Sequence, residues 1–253
     1  MQLVDRTISI LVLLSKEDYG LSVTEIAEKL DISTSASFRI LQSLMKHHFV
    51  LQNSETKRYL LGYRALTIGS NISIQNNLTL AVRPFIEELA EKVNETVALC
   101  TLDGNHIICL DYVESKNTMQ LMVRTGVAMP PLLTSAGKAI LAFQSVDKVK
   151  EIYEEFIGSE SVDVRIKSYQ EIMQELKDVV VKGYAISDEE LQVGVQGVAY
   201  PIFDFSHKVV GSISITALKH KEFMNSNNMH QLKETAEKIS SVLGVHDKNN
   251  GNS

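Results

Sequence analysis

Residues 21–50, LSVTEIAEKLDISTSASFRILQSLMKHHFV, read as two short helices joined by a tight turn. Ser22 followed three residues later by Glu25 is a capping box, in which the hydroxyl accepts from a first-turn amide and the carboxylate reaches back. Val23, Ile26, Ala27 and Leu30 then recur at helical spacing and give one apolar face. Asp31-Ile32-Ser33 interrupts the period, and Ser33 or Thr34 can cap a second helix whose Ile40, Leu41 and Leu44 face inward. Its opposite side carries Ser35, Phe38, Arg39, Gln42 and Lys46, spaced i, i+3, i+4, i+7 and i+11. Arg and Gln make bidentate contacts to guanine and adenine edges, and Ser or Lys can hold phosphates. A second helix presented this way is the helix-turn-helix arrangement, with that helix in the major groove. An ordinary helical hairpin with a solvated polar face fits the same spacing.

The flanks favour the first reading. Phe49-Val50-Leu51 and Tyr59-Leu60-Leu61-Gly62 are β-prone runs around a polar tip, 52–58, and make a hairpin wing. Lys57 and Arg58 stand where a wing meets the phosphate backbone. Ser35, Ser37, Phe38, Arg39, Gln42, Lys46, Lys57 and Arg58 are therefore the candidate DNA contacts. Upstream, residues 3–15 form an apolar helix ending near Gly20, whose Leu3, Ile8, Leu11, Val12 and Leu14 can cover the pair. Arg6 is either a phosphate contact or a solvated arginine.

The chain of 253 residues is long enough for two domains. The net charge of −6 looks wrong for a DNA binder until it is divided. Eight Lys+Arg stand against seven Asp+Glu through residue 75, and 17 against 24 beyond it. A near-neutral, slightly basic first part joined to an acidic second part fits a nucleic-acid domain attached to a non-binding one. No apolar run spans a bilayer, and the first residues lack a signal-peptide pattern. The expected compartment is the cytoplasm, where Cys100 and Cys109, in apolar strand-like runs, stay buried and reduced.

We place residues 1–63 as the winged helix-turn-helix domain, 64–77 as a linker helix, 78–246 as an effector-binding and oligomerisation domain, and 247–253 as a disordered tail. Leu78 to Val93 is periodic, with Pro84 expected to break it and start a new helix at Arg83-Pro84. A hairpin is expected over Thr96–Thr101 and His106–Val113, turning at Asp103-Gly104-Asn105. A strand at Met119–Arg124, helices at Ala136–Phe143, Val146–Ile157 and Tyr169–Val181, strands at Tyr184–Ser187, Val198–Phe203 and Val209–Ala217, and a closing helix at Met229–Leu243 complete an α+β domain.

Three stretches here can carry chemistry. Thr134-Ser135-Ala136-Gly137-Lys138 puts hydroxyls and small residues at a helix start, where amides suit a carboxylate, or where serine and threonine simply cap. It lacks the P-loop spacing. Asp188-Glu189-Glu190 has no histidine at ligand spacing and reads as a solvated turn or helix start rather than a metal site. Gly194 and Gly197 allow close backbone approach. Ser214 and Thr216 share one strand face, lining a cavity or facing solvent. No catalytic triad, metal cluster or cofactor motif is present, so neither an enzyme nor a cofactor is expected.

These pieces in this order resemble the IclR family of bacterial transcriptional regulators. The N-terminal likeness lies in GLSVTEIAEKLDIS, RILQSL and RYLLG; the more specific signature is ETVALCTLDG, TSAGKAILAF, GYAISDEE, GVQGVAYPIFD and VVGSISITA. The resemblance implies a winged helix-turn-helix, a linker helix and a GAF-like effector domain with an antiparallel sheet flanked by helices. It also implies a homodimer or dimer of dimers on a palindromic double-stranded DNA operator, with repression favoured, and a small organic-acid or aromatic effector. The implied effector-binding positions are Ser135, Ala136, Ser187, Gly197, Ser214 and Thr216. Where the family often has Pro-Leu-His, an acid and a Cys or Ser, this chain has Pro130-Pro131-Leu132, Ser187 and Gly197. Those departures predict a larger, less polar cavity and an acid bulkier than a two-carbon oxo acid. The competing class is an enzyme or metabolite-binding protein using its N-terminal helices only to dimerise.

Overall fold

The computed structural model describes residues 3–68, 77–115, 124–158, 167–219 and 224–245. The chain divides into two compact units, Met1–Asn76 and Asn77–Ser253.

In the first unit, α1 (Leu3–Leu14), α2 (Val23–Lys29) and α3 (Thr34–Lys46) precede the antiparallel pair β1 (Val50–Gln52) and β2 (Tyr59–Leu61), and residues 63–68 are helical (α4). The capping box is formed: Ser22 Oγ accepts from Glu25 N–H at 3.3 Å, and Glu25 Oε2 accepts from Ser22 N–H at 2.7 Å. Ser33, not Thr34, caps α3 by accepting from Ala36 N–H. Ile10, Leu14, Leu21, Ile26, Ile40, Leu41, Leu44, Val50 and Tyr59 form one buried core. Fully burying a side chain such as Ile26 or Leu41 contributes about 1.5–3 kcal/mol.

The covering face of α1 differs from the expected one. Ile10 and Leu14 are buried with Leu11 and Leu13 packed beside them, whereas Leu3, Ile8 and Val12 are exposed. The apolar residues of α1 run nearly all round it, so periodicity alone does not choose the buried stripe.

Backbone pairing ties the wing to the helices. Leu21 N–H donates to Tyr59 O at 3.0 Å, and Tyr59 N–H returns to Leu21 O at 2.7 Å. Gly20 makes this possible: its φ is +68°, and a Cβ there would lie 2.4 Å from Tyr59 O.

In the second unit, α5 (Asn77–Val93) leads into β3 (Thr96–Asp103), β4 (His106–Val113) and β5 (Ala128–Met129). A 3₁₀ turn (Pro131–Leu133), α6 (Ser135–Leu141), α7 (Val146–Gly158) and α8 (Tyr169–Lys182) follow. Strands β6 (Ala185–Asp188), β7 (Val195–Phe203) and β8 (Val209–Leu218) and helix α9 (Ser226–Val242) complete it. The strands make one antiparallel six-stranded sheet in the order β5-β4-β3-β8-β7-β6.

Pro84 does not break α5, which is continuous across it. Proline removes the bond to the carbonyl four residues back; here that residue is Leu80, 61 % exposed on the solvent side of the helix, where water can take the carbonyl. The β3–β4 loop has Gly104 and Asn105 as its two residues, since Asp103 pairs with His106, and Gly104 supplies φ +57°. Of the strand expected at Met119–Arg124, residues 119–123 lie outside the described residues, and Arg124 is not in a strand. Residues 69–76 of the expected linker helix and the tail, 247–253, also lie outside them.

Strand alternation divides the sheet chemically. Val97 and Leu99 of β3, Val198 and Ile202 of β7, and Ile213, Ile215 and Ala217 of β8 face α5 and α9 in a large apolar core. The intervening residues are small or hydroxylated: Ala98, Cys100, Gly197, Ala199, Ser212, Ser214 and Thr216. Helix α6, all seven of its residues buried, packs on this second face. Gly137 lets it sit close to the preceding turn, since a Cβ there would lie 2.2 Å from Pro131 O. Cys100 and Cys109 are register partners across β3 and β4, both buried and reduced; the neighbouring Cys109 thiol and burial together push the Cys100 thiol far up.

Candidate nucleic-acid interface and ligand cavity

On α3, Ser35, Phe38, Arg39, Gln42 and Lys46 are all exposed, opposite the buried Ile40, Leu41 and Leu44. No carboxylate pairs with Arg39, Lys46 or Lys57 among the described residues. Ser37 is different. It is 0 % exposed, lies on the inward face with Ile40, Leu41 and Leu44, and its hydroxyl has no hydrogen-bond partner. It cannot reach a ligand outside that face.

Lys57, exposed at the wing turn, adopts φ +58°. Asn53 Oδ1 shapes that turn by accepting from Glu55 and Thr56 N–H. Arg58 points the other way. Its guanidinium donates to Gly20 O at 2.7 Å and Glu25 Oε1 at 3.0 Å, bracing the wing against α2. The Ser22 amide and hydroxyl, and then Arg58, hold the Glu25 carboxyl below its ordinary value. Arg58 is thus half-buried, with its guanidinium engaged by Glu25 and the Gly20 carbonyl. Arg6 is also half-buried, with its Nε enclosed and without a partner.

In the second unit, a cavity of about 70 Å³ opens between α6, the sheet and the turn after β6. Ser135, Ala136, Ser187, Ser214 and Thr216 line it, so both hydroxyls of β8 face inward. Gly197, expected in the site, is not itself a lining residue but stands against two that are: a Cβ there would lie 2.7 Å from Ser135 Oγ and 3.0 Å from Ser187 Oγ. Ser214 Oγ donates to Ala98 O of the neighbouring strand at 3.4 Å, and Ser212 Oγ donates to Ala136 O at 3.1 Å, which anchors α6 to the sheet. The cavity volume is several times the ~10–15 Å³ needed to admit a single water. Glu190, Leu191 and Gln192, from the turn after β6, also line it.

Behind the wall lies a charge network. Lys138, 1 % exposed, places Nζ 2.7 Å from Glu175 Oε1, 2.7 and 2.5 Å from the two Glu190 oxygens, and 3.2 Å from Ile186 O. Lys167 Nζ lies 2.7 Å from Glu175 Oε2 and 3.6 Å from Glu190 Oε1. Burial opposes ionisation of Glu175, but hydrogen bonds from Lys138 and Lys167 outweigh it and hold the carboxyl low. Burial likewise opposes the Lys167 cation, and its two carboxylate partners push its value up.

The other two acids of the turn are taken by Lys219, 3.0 Å from Asp188 Oδ1 and 2.5 Å from Glu189 Oε1. Gln196 donates to Asp188 at 2.8 Å. Both carboxyls are lowered, Asp188 by Gln196 and then Lys219, Glu189 by Lys219 and then the Gly194 amide. No cluster of three His, Cys, Asp or Glu able to hold a metal occurs among the described residues.

Sequence reasoning missed Ala98, Cys100, Thr134, Glu190 and Gln192 as lining residues. Period-two alternation carried the signal for the first two, since 98 and 100 face the same way as 214 once β3 and β8 pair.

The family model described as "IclR helix-turn-helix domain" matches residues 3–54, and that described as "Bacterial transcriptional regulator IclR C-terminal" matches residues 72–241. The chain belongs to the IclR family. Its IclR relatives include the HTH-type transcriptional repressor AllR of Klebsiella pneumoniae, 31 % identical over 96 % of this chain and 90 % of that protein. The HTH-type transcriptional regulator KdgR of Escherichia coli (strain K12) is 28 % identical over 91 % and 89 % of the two chains. The crystal structure of the Thermotoga maritima IclR superposes with a TM-score of 0.74 at 30 % identity, covering 96 % and 98 %. An N-terminal helix-turn-helix followed by an antiparallel sheet flanked by helices is thus the IclR architecture in this chain.

Proposed function

We propose that the protein is a sequence-specific, DNA-binding transcriptional repressor whose operator affinity is set by a small carboxylic acid bound in the C-terminal cavity. One observation carries the reading: Arg39 and Gln42 stand exposed and unpaired on the second helix of a helix-turn-helix, a placement that leaves both free for base edges. Ser35, Phe38 and Lys46 extend the same face, and Lys57 adds a phosphate contact from the wing. Repression accords with the named activity of the AllR relative. Residues 1–63 bind DNA, 64–77 link, and 78–246 bind effector and associate.

Two copies on a palindromic operator present two recognition helices about one helical turn apart. An effector that prefers one arrangement of the dimer shifts operator occupancy by its differential affinity, about 5- to 150-fold for ~1–3 kcal/mol of coupling. In the cavity, the hydroxyls of Ser135, Ser187 and Thr216 can donate to the acid, that of Ser214 being given to Ala98 O, while Gly197 leaves room for the Ser135 and Ser187 hydroxyls. No catalytic role is assigned, and among the described residues no helix is long and apolar enough to cross a membrane.

The test is selection of genomic fragments by the purified protein, followed by mobility shifts on a retained fragment. Binding is expected to be sequence-selective and to weaken steeply with salt. Arg39→Ala should cost ~1–3 kcal/mol on the selected site and much less on random DNA. Equal affinity of Arg39→Ala and wild type for the selected fragment would sink the proposal.

A further inference from the structure

We infer that Phe38 reads the 5-methyl group of a thymine in each operator half-site, which makes it a specificity residue of the recognition helix. The inference rests on the reading of α3 as the DNA-contacting helix and names one base feature that the helix recognises.

Phe38 is 47 % exposed, on the outward side of α3 with Ser35, Arg39, Gln42 and Lys46. The other large apolar side chains of α3 turn inward: Ile40, Leu41 and Leu44 are buried, and Met45 packs beside them. Phe38 takes no part in that core, and no ring or cation contacts it among the described residues. Helix propensity does not account for it either. Phenylalanine is a poorer helix former than the alanine, lysine or glutamine that an exposed helical position readily accepts. Nothing within the unit uses the ring, and the face it shares is the one that carries the base-reading side chains.

Its neighbours narrow the choice of partner. The N-terminal residues of a recognition helix meet base edges in the major groove, and Phe38 is the fifth of the 13 residues of α3. Ser37, beside it, is buried, and Ser35 Oγ is already paired with Ser33 Oγ at 3.2 Å. Arginine and glutamine suit purine edges, through N7 with O6 or N6. A ring set against such polar atoms would cut them off from water without supplying a partner, which costs each its hydration. The thymine methyl is the one apolar group that a base pair presents in the major groove, and the minor groove presents none. A phenyl ring against that methyl removes apolar surface from water on both sides.

The experiment selects operators from random duplex DNA with the full-length protein and measures mobility shifts on variants of a selected site. Each thymine, on either strand, is replaced in turn by deoxyuridine at both symmetric positions, which removes the methyl and keeps the base pairing. One such replacement is expected to lower wild-type affinity ~3- to 5-fold per half-site, the worth of one buried methyl group, and about 10- to 25-fold for the two together. With cytosine in that position, binding should be weaker than with 5-methylcytosine by a similar factor. Phe38→Ala should bind the thymine site at least as weakly as the wild type binds the uracil site. It should also be indifferent, within about twofold, to every methyl, the coupling that a double-substitution cycle reads. A general loss of helix packing would instead leave the methyl effect in place. Wild-type tolerance of deoxyuridine at every position, or a uracil penalty retained by Phe38→Ala, overturns the inference and leaves the DNA-binding reading standing. Failure to select any sequence overturns both. The wild-type series decides even where Phe38→Ala fails to fold.

Discussion

The Lys138 ammonium lies 2.5 Å from Glu190 Oε2 with its side chain 1 % exposed, which joins α6 to the turn that closes the cavity. Breaking a buried pair by removing one partner leaves the other charge uncompensated and typically costs about 3–5 kcal/mol. Lys167 remains near both carboxylates, so Lys138→Met should fall at the low end, about 3 kcal/mol. Urea unfolding of the full chain, read by a probe in the second unit, checks this; a loss below about 0.5 kcal/mol would show that the pair contributes little net.

The same network makes stability depend on acid. The Glu175 carboxyl is desolvated by burial, yet Lys138 and Lys167 hold it below the ordinary 4.5. A carboxyl lowered in the folded state stabilises fully above its unfolded value, and that contribution disappears as pH falls through the folded value. The unfolding midpoint of the wild type should therefore be insensitive to this group from neutral pH down to about 4.5 and fall below it. Glu175→Gln should be less stable at pH 7 and show a shallower decline in acid. A parallel decline in both proteins would remove Glu175 from the account.

Much of the N-terminal unit is legible because its signals are local. Ser22 and Glu25 are three residues apart and cap one helix turn, and the polar stripe of α3 reads directly off the 3.6-residue period. Where partners are distant, the sequence underdetermines the answer. Arg58 looks like any wing cation until Glu25, 33 residues away, is found beneath it. Ser214 and Thr216 share a face by alternation, but whether that face meets solvent or a cavity depends on α6, whose Ala136 carbonyl takes the Ser212 hydroxyl across 76 residues. Lys138 and Glu190 were each visible in a motif, while their pairing over 52 residues was not. Gly197 reads as a missing polar handle, and its contact with the Ser135 and Ser187 hydroxyls, 62 and 10 residues away, is not visible in the sequence.

Ser37 offers a separation of stability from DNA binding. Its hydroxyl is fully buried without a partner, a state that costs about 1–3 kcal/mol for a polar group. Alanine removes the hydroxyl and is the better helix former. Ser37→Ala should leave operator affinity within about twofold and raise stability by up to ~1 kcal/mol. A mobility shift weakened tenfold with stability intact would mean that Ser37 does reach the nucleic acid.

Gly197 tests the cavity without touching the DNA-binding unit. Its backbone is not in the left-handed region, so alanine meets no intrinsic strain there. The new Cβ would stand 2.7 Å from Ser135 Oγ and 3.0 Å from Ser187 Oγ, and both hydroxyls must turn away. Each is the end of a short side chain that can change rotamer, so the stability cost should stay within the ~1–3 kcal/mol of overpacking. The cavity loses more than the fold does. The methyl group displaces two lining hydroxyls that would hold the ligand carboxylate. Gly197→Ala should therefore bind operator as the wild type does while its release by an effective acid needs at least tenfold more ligand, a shift of about 1.4 kcal/mol. Mobility shifts across an acid titration read both quantities at once. An unchanged release curve would place the ligand away from Ser135 and Ser187.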